Sequence, residues 1–258
     1  MTDEVVHYEL DRAIATITLD STENRNALSS QLVGELSTHL QTAAAAAEVR
    51  AVVLTHTGRT FCAGADLREQ ASEGGPAEGT KRMLTLLRTI VELPKPVLAR
   101  VDGHVRAGGL GLVGACDLAI ASSNASFAFT EVRLGLAPAI ISLTTLGRMS
   151  ERAAARYYLT GETFDALAAE RAGLITSAAN DLDAEVAALC DALRACSPQG
   201  LAETKPLTTR AALAAFEQRA TPMQALSQRL FESDEAREGI MAFLQKRPPR
   251  WAPPPATS

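Results

Sequence analysis

Two short segments constrain this chain most, Phe61-Cys-Ala-Gly-Ala-Asp-Leu67 and Asp102-Gly-His-Val-Arg-Ala-Gly-Gly109. Each follows an apolar run of strand character, Ala-Val-Val-Leu-Thr-His-Thr-Gly at 51–58 and Pro-Val-Leu-Ala-Arg-Val at 96–101, and each reads as opening a helix. A helix that starts this way leaves backbone N–H groups free at its tip, because the first turn has no internal acceptors. Two such tips aimed at one point stabilise negative charge growing on a carbonyl oxygen. The pair therefore points to an oxyanion hole.

The rest of the pattern supplies a scaffold for those loops. Val5 to Leu10 and Ala13 to Leu19 are β-prone and read as a hairpin turning at Asp11-Arg12. A polar loop at 20–26 leads to a helix capped by Ser29 or Ser30, running through Leu32, Leu36 and Leu40 into the alanines at 43–47. The segment 72–79 reads as flexible, and Met83, Leu84, Leu87, Ile90 and Val91 mark a helix that Pro94 ends. Two short strands are expected at Leu118–Ala121 and Ser126–Thr130. From Ile140 onward the pattern is helical, with breaks near Gly147, Gly161, Gly173 and Ser197-Pro198. Strands alternate with helices in the first part of the chain, which argues for α/β architecture with crossover connections. No sequence repeat is evident.

Charge and cysteine usage exclude several functions. The 258 residues carry a net charge of −5, which offers no electrostatic case for nucleic acid or an anionic membrane as main partner. No apolar run approaches the ~20 residues that span a bilayer. Cys62, Cys116, Cys190 and Cys196 have neither metal-ligand spacing nor a disulfide framework, and no histidine is placed to activate Cys62 as a nucleophile. Met-Thr-Asp-Glu-Val-Val-His at the start lacks the features of a signal peptide, so a cytoplasmic protein is expected.

At the level of ordered motifs the chain resembles the enoyl-CoA hydratase/isomerase (crotonase) superfamily. The matching segments are Asn24-Arg-Asn-Ala-Leu28, Phe61 to Leu67, Asp102 to Gly109, Cys116-Asp-Leu-Ala-Ile120 and Phe127 to Gly135, followed by Tyr158-Leu-Thr-Gly161, Ala172-Gly-Leu174 and Phe231 to Trp251. The resemblance implies an α/β fold, a spiral of ββα turns over residues 1–196 that holds a CoA-thioester site, with a helical trimerisation region at 197–258. It also implies a homotrimer or hexamer, an acyl-CoA thioester as substrate, and no metal or redox cofactor. The oxyanion-hole positions it assigns are the N–H groups of Ala65 and Gly108. Arg25, Ala27, Ala63, Leu67 and Arg68 fall where the substrate binds, and Lys246 falls where basic residues reach a neighbouring subunit's ligand. Asp66 belongs to the same stretch, although as the first residue of a helix it also reads as an N-cap.

Hydratases of this family flank the substrate double bond with two glutamates. Glu131 in Phe129-Thr-Glu131 matches the second, whereas Gly111 stands where the first belongs. One carboxylate then handles the protons: it takes one from water attacking C3 and returns one to C2 on the same face. The same group could move a proton between C4 and C2, which is double-bond isomerisation, and a non-catalytic thioester-binding scaffold is a third reading. The apolar neighbours Phe127, Phe129, Leu134 and Leu136 would raise the Glu131 pKa by desolvation. Arg106 sits where relatives carry a small or apolar residue. It either meets a carboxylate at the far end of the acyl chain, as the resemblance to methylglutaconyl-CoA hydratases implies, or serves a subunit contact or the solvent.

Overall fold

The computed structural model describes residues 4–69 and 75–253. Strand β1 (Val6–Asp11) pairs antiparallel with β2 (Ile14–Leu19), and β2 pairs in parallel with β3 (Ala51–His56). The hairpin turns at Arg12-Ala13, one residue later than expected. Both residues take positive φ, 41° and 66°, the hand that matches the twist of the flanking strands.

From β3 onward the backbone repeats although the sequence does not. β3 leads to β4 (Thr60–Cys62) and α2 (Gly75–Glu92); β5 (Val97–Val101) leads to β6 (His104–Arg106) and α3 (Gly108–Ala115); β7 (Leu118–Ser122) leads to β8 (Ser126–Ala128). In each turn the first strand joins a six-stranded sheet and the second a four-stranded one. The larger sheet runs β1-β2-β3-β5-β7-β10, and the smaller runs β4-β6-β8-β9, where β9 is Phe164–Asp165 and β10 is Ser177–Ala179. This is the expected spiral of ββα turns. The two last strands were not legible in the helical pattern after Ile140. They are two and three residues long, too short for a period to show.

The large sheet is covered on both faces. Helix α1 (Ser30–Ala45), capped by the Ser29 side chain accepting from Leu32 N, buries Leu32, Leu36 and Leu40 in the main core with Leu54, Leu87 and Val101. Each such leucine contributes roughly 1.5–3 kcal/mol, an upper estimate for real unfolded chains. On the other face Val53, Leu98 and Ile120 pack against Leu182 and Val186 of α7 (Leu182–Arg194). Burial on both sides explains why these strands read as continuous apolar runs.

After β8 the chain departs from expectation. The strand ends at Ala128, and Thr130–Leu134 is a short 3-10 turn closed by Gly135 at φ 72°. The remaining helices are α4 (Ser142–Thr145), α5 (Glu151–Thr160), α6 (Ala166–Ala172), α8 (Pro198–Thr208), α9 (Arg210–Phe231) and α10 (Asp234–Leu244). The expected breaks hold: Gly161 and Gly173 are left-handed caps, and Ser197 caps α8. Of the segment expected to be flexible, residues 75–79 form the first turn of α2, and 72–74 lie outside the described residues.

One buried ion pair ties the helical end to the spiral. Lys205 of α8 is 4% exposed; its Nζ lies 2.8 Å from Asp117 Oδ2 and donates to the carbonyls of Ile90 and Lys95. Asp117 Oδ2 also accepts from Val97 N at 2.7 Å.

Candidate active site

The first loop is held from below by Asn26, which is fully buried. Its amide donates to Thr60 O at 2.8 Å and its carbonyl accepts from Ser21 N at 2.7 Å. Arg25 O accepts from Ala63 N, and Leu28 N donates to Gly64 O, so the Asn24–Leu28 stretch fixes the path of residues 63–65. Gly64 has φ +90°, a conformation L side chains rarely adopt. Asp66 Oδ1 accepts from Arg68 N and Glu69 N, as an N-cap would, and the chain that follows at 70–74 is outside the described residues.

The second loop turns at Ala107, with φ 45° and ψ −118°, into α3. A non-glycine residue in that region stores on the order of 1–3 kcal/mol of strain. Ala107 is pinned there by its N–H on Ala128 O and its carbonyl under Leu110 N. The two loops meet backbone to backbone. A Cβ on Gly64 would lie 3.2 Å from Gly108 N, and one on Gly109 would lie 2.8 Å from Cys62 O. Among the described residues neither the Ala65 nor the Gly108 N–H finds an acceptor.

Both N–H positions open on one cavity of about 590 Å³. Its wall contains Arg25, Ala27, Ala63, Ala65, Asp66, Leu67, Arg68, Arg106, Gly108 and Glu131, so all the sequence-derived site residues but Gly111 and Lys246 converge, and Lys246 is exposed beyond the end of α10. Gly111 lies just behind the wall. It is buried under Ile141 and Met83, which do line the cavity, and a Cβ added to it would meet Ile141 Cγ2 at 2.6 Å. Thr144 Oγ1 donates to its carbonyl.

Glu131 sits in the 3-10 turn beyond β8, beside an aromatic cluster in which the Phe129 and Tyr158 rings are 4.3 Å apart. Its Oε2 is shielded from solvent and has no hydrogen-bond partner. Burial pushes its pKa up to about 7, opposed only by a bond from its own backbone N–H. Tyr158 is raised as well, chiefly by burial and in part by Glu131; its hydroxyl lies 2.5 Å from Thr145 Oγ1. A carboxyl that titrates near neutrality can act as base and as acid in one cycle.

Arg106 is half-buried on the cavity wall and has no carboxylate partner among the described residues. Its guanidinium donates to the carbonyls of Val105 and Ser126 and to Ser126 Oγ, and burial lowers its pKa. Cys62 is buried with its thiol pushed up to about 12, which agrees with its exclusion as a nucleophile.

Several wall residues had not been singled out as site residues. Thr80, Arg82 and Met83 come from α2, Ser227 and Phe231 from α9, and Phe243 and Leu244 from α10. The cavity therefore draws on residues beyond 197 as well as on the spiral. Phe243 and Leu244 stay partly open to solvent there, 54% and 45% exposed.

Fold and site together give an α/β spiral in which two free backbone N–H groups and a shielded carboxyl line one cavity. Comparison with known proteins agrees: the enoyl-CoA hydratase/isomerase family model matches residues 9–254, and the chain belongs to that family. A solved enoyl-CoA hydratase from Mycobacterium avium superposes with a TM-score of 0.91 at 53% identity, covering 97% of this chain and 100% of that one. A Thermus thermophilus relative, whose enoyl-CoA hydratase name is itself provisional, is 35% identical over 245 residues, 92% of this chain and 97% of its own. The 2,3-dehydroadipyl-CoA hydratase of Escherichia coli is 31% identical over 239 residues, 92% of this chain and 94% of its own.

Proposed function

We propose that this protein reversibly hydrates a 2-enoyl-CoA to a 3-hydroxyacyl-CoA, with Glu131 as its single acid/base. The observation that carries the reading is the Glu131 carboxyl, unpartnered and titrating near 7, on the wall that also holds Ala65 and Gly108. The thioester oxygen binds the two N–H groups. Glu131 takes a proton from water as the water oxygen bonds to C3. The π electrons of C2=C3 move toward the thioester, and the two donors stabilise the enolate oxygen, each worth roughly 3 kcal/mol of barrier. Protonated Glu131 then returns a proton to C2 on the same face. The step is redox-neutral and needs no metal or cofactor; coenzyme A is part of the substrate.

Arg25, Arg68 and Arg82 at the cavity are the cations we assign to the coenzyme's phosphates. Arg106, lacking an acid partner, is our candidate for a carboxylate carried by the acyl chain. The dehydroadipyl name of the Escherichia coli relative, a thioester with a free carboxylate, supports that choice. We assign the helical region 197–258 to assembly into a trimer or hexamer, supported by exposed Leu207, Met241 and Trp251. Free thiols at all four cysteines support a reducing, cytoplasmic setting.

The test is loss of the conjugated-thioester absorbance with crotonyl-CoA, for the wild type and Glu131→Gln. Loss in the wild type alone, with the mass of one water gained, is the expected result. A shifted double bond at unchanged mass would make the protein an isomerase, and binding without turnover a scaffold.

A further inference from the structure

The turn that carries Glu131 is braced by the C-terminal helix at unusually short range. A Cβ on Gly239 of α10 would lie 2.5 Å from both the carbonyl carbon and oxygen of Leu134. Reciprocally, a Cβ on Gly135 would lie 2.6 Å from the Glu235 carbonyl carbon and 2.8 Å from Ala236 N. Ala236, Gly239 and Ala242 form the buried stripe of α10, and the helix meets the turn at backbone distance around Glu235, Ala236 and Gly239. Four positions beyond Gly239, Phe243 reaches the cavity wall, as does Leu244.

We propose that Gly239 and Gly135 are positioning residues: their backbone-to-backbone contact sets how deeply the Glu131 carboxyl is held away from water. The inference rests on Glu131 being the acid/base. Leu134 and Gly135, three and four positions after Glu131, are the residues at which α10 meets the turn, and the turn is two residues longer than a single 3-10 repeat. Lifting α10 by the width of a methyl group therefore lets the turn relax and opens a path for water to Oε2. The turn is also flanked by α5.

No charge on the surrounding elements substitutes for that burial. On the turn itself Arg133 donates to Thr160 O. On α5, Tyr158 bonds Thr145, Arg156 pairs with Glu162, and Glu151 and Arg152 are exposed. On α10, Asp234 pairs with Arg237, Glu238 with Arg247 and Arg250, and Glu235 is exposed. None of these charges contributes to the Glu131 shift, which comes from burial.

The experiment is Gly239→Ala in the full chain, with kcat, KM and the pH profile of kcat/KM for hydration of crotonyl-CoA, and a 13C titration of the Glu131 carboxyl assigned by difference from Glu131→Gln. The expected result is kcat lower by about tenfold to a hundredfold, KM nearly unchanged, and the Glu131 pKa moved from near 7 toward the ordinary carboxylate value. Should Gly239→Ala not fold, Ala236→Gly loosens the same contact without adding atoms and is expected to move the titration in the same direction by less. An unaltered Glu131 titration in a folded variant overturns the proposal, as does activity lost only in proportion to unfolded protein. An active Glu131→Gln would instead remove the reading on which the proposal rests, and the 13C titration would still report whether α10 sets the burial.

Discussion

Ile141 fills the space that a side chain at Gly111 would need: the missing Cβ would stand 2.6 Å from Ile141 Cγ2 and 3.0 Å from Met83 Cε. The position where the family's first glutamate is expected is thus closed by packing and does not face the cavity. Gly111→Glu is predicted to cost 1 to several kcal/mol, on the order of overpacking penalties, and to leave hydration no faster. Thermal unfolding checks the first part, and Gly111→Glu combined with Ile141→Ala should recover part of the lost stability.

The raised pKa of Glu131 makes its own replacement stabilising in a defined window. The folded protein binds this proton more tightly than the unfolded chain, whose carboxyl titrates near the ordinary 4.5. Below that pH both states are protonated and the group costs nothing. As pH rises from 4.5 through about 7 the unfolded state loses its proton first and stability falls; above that the deficit is constant. Glu131→Gln should therefore match the wild type near pH 4 and exceed it at pH 8 by at most about 3 kcal/mol. Paired urea titrations at the two pH values would show it.

Lys205→Met leaves Asp117 buried without its cation and strips the carbonyls of Ile90 and Lys95 of a donor. Breaking one partner of a buried pair costs about 3–5 kcal/mol. The pair lies at the far end of α3 from Gly108, so kcat per folded molecule is expected to stay unchanged. Urea midpoints and active-site-normalised rates separate the two effects.

For Arg106→Ala the prediction is selective. Turnover of 3-methylglutaconyl-CoA should fall by tenfold or more, the scale of one charge-assisted hydrogen bond, while crotonyl-CoA is used as before. Equal loss on both substrates would assign Arg106 to holding β6 against β8 through Ser126.

The residues that shape the two loops at 61–67 and 102–109 were legible because their constraints are local. Gly64 needs positive φ, and Gly109 leaves no room for a Cβ beside Cys62 O, so each glycine announces the backbone that it permits. Glu131 was legible from its motif, and its apolar neighbourhood anticipated the direction of its pKa shift. The strands β9 and β10 were not legible, being shorter than the period that would reveal them. Nor was the helical turn at Thr130–Leu134, since Phe127 and Phe129 continue the alternation of β8 into it. The contribution of α10 to the site depends on contacts some hundred residues apart in sequence, between Leu134 and Gly239, and no local pattern encodes that.

The central claim is that one carboxyl both activates water and protonates carbon, and the stereochemistry of hydration tests it most directly. Crotonyl-CoA turned over in D2O, with the product's C2–C3 coupling read by NMR, reports which faces receive the deuteron and the oxygen. A single Glu131 predicts that both add to the same face. Addition to opposite faces would contradict the account, because a second proton donor would then have to lie across the substrate.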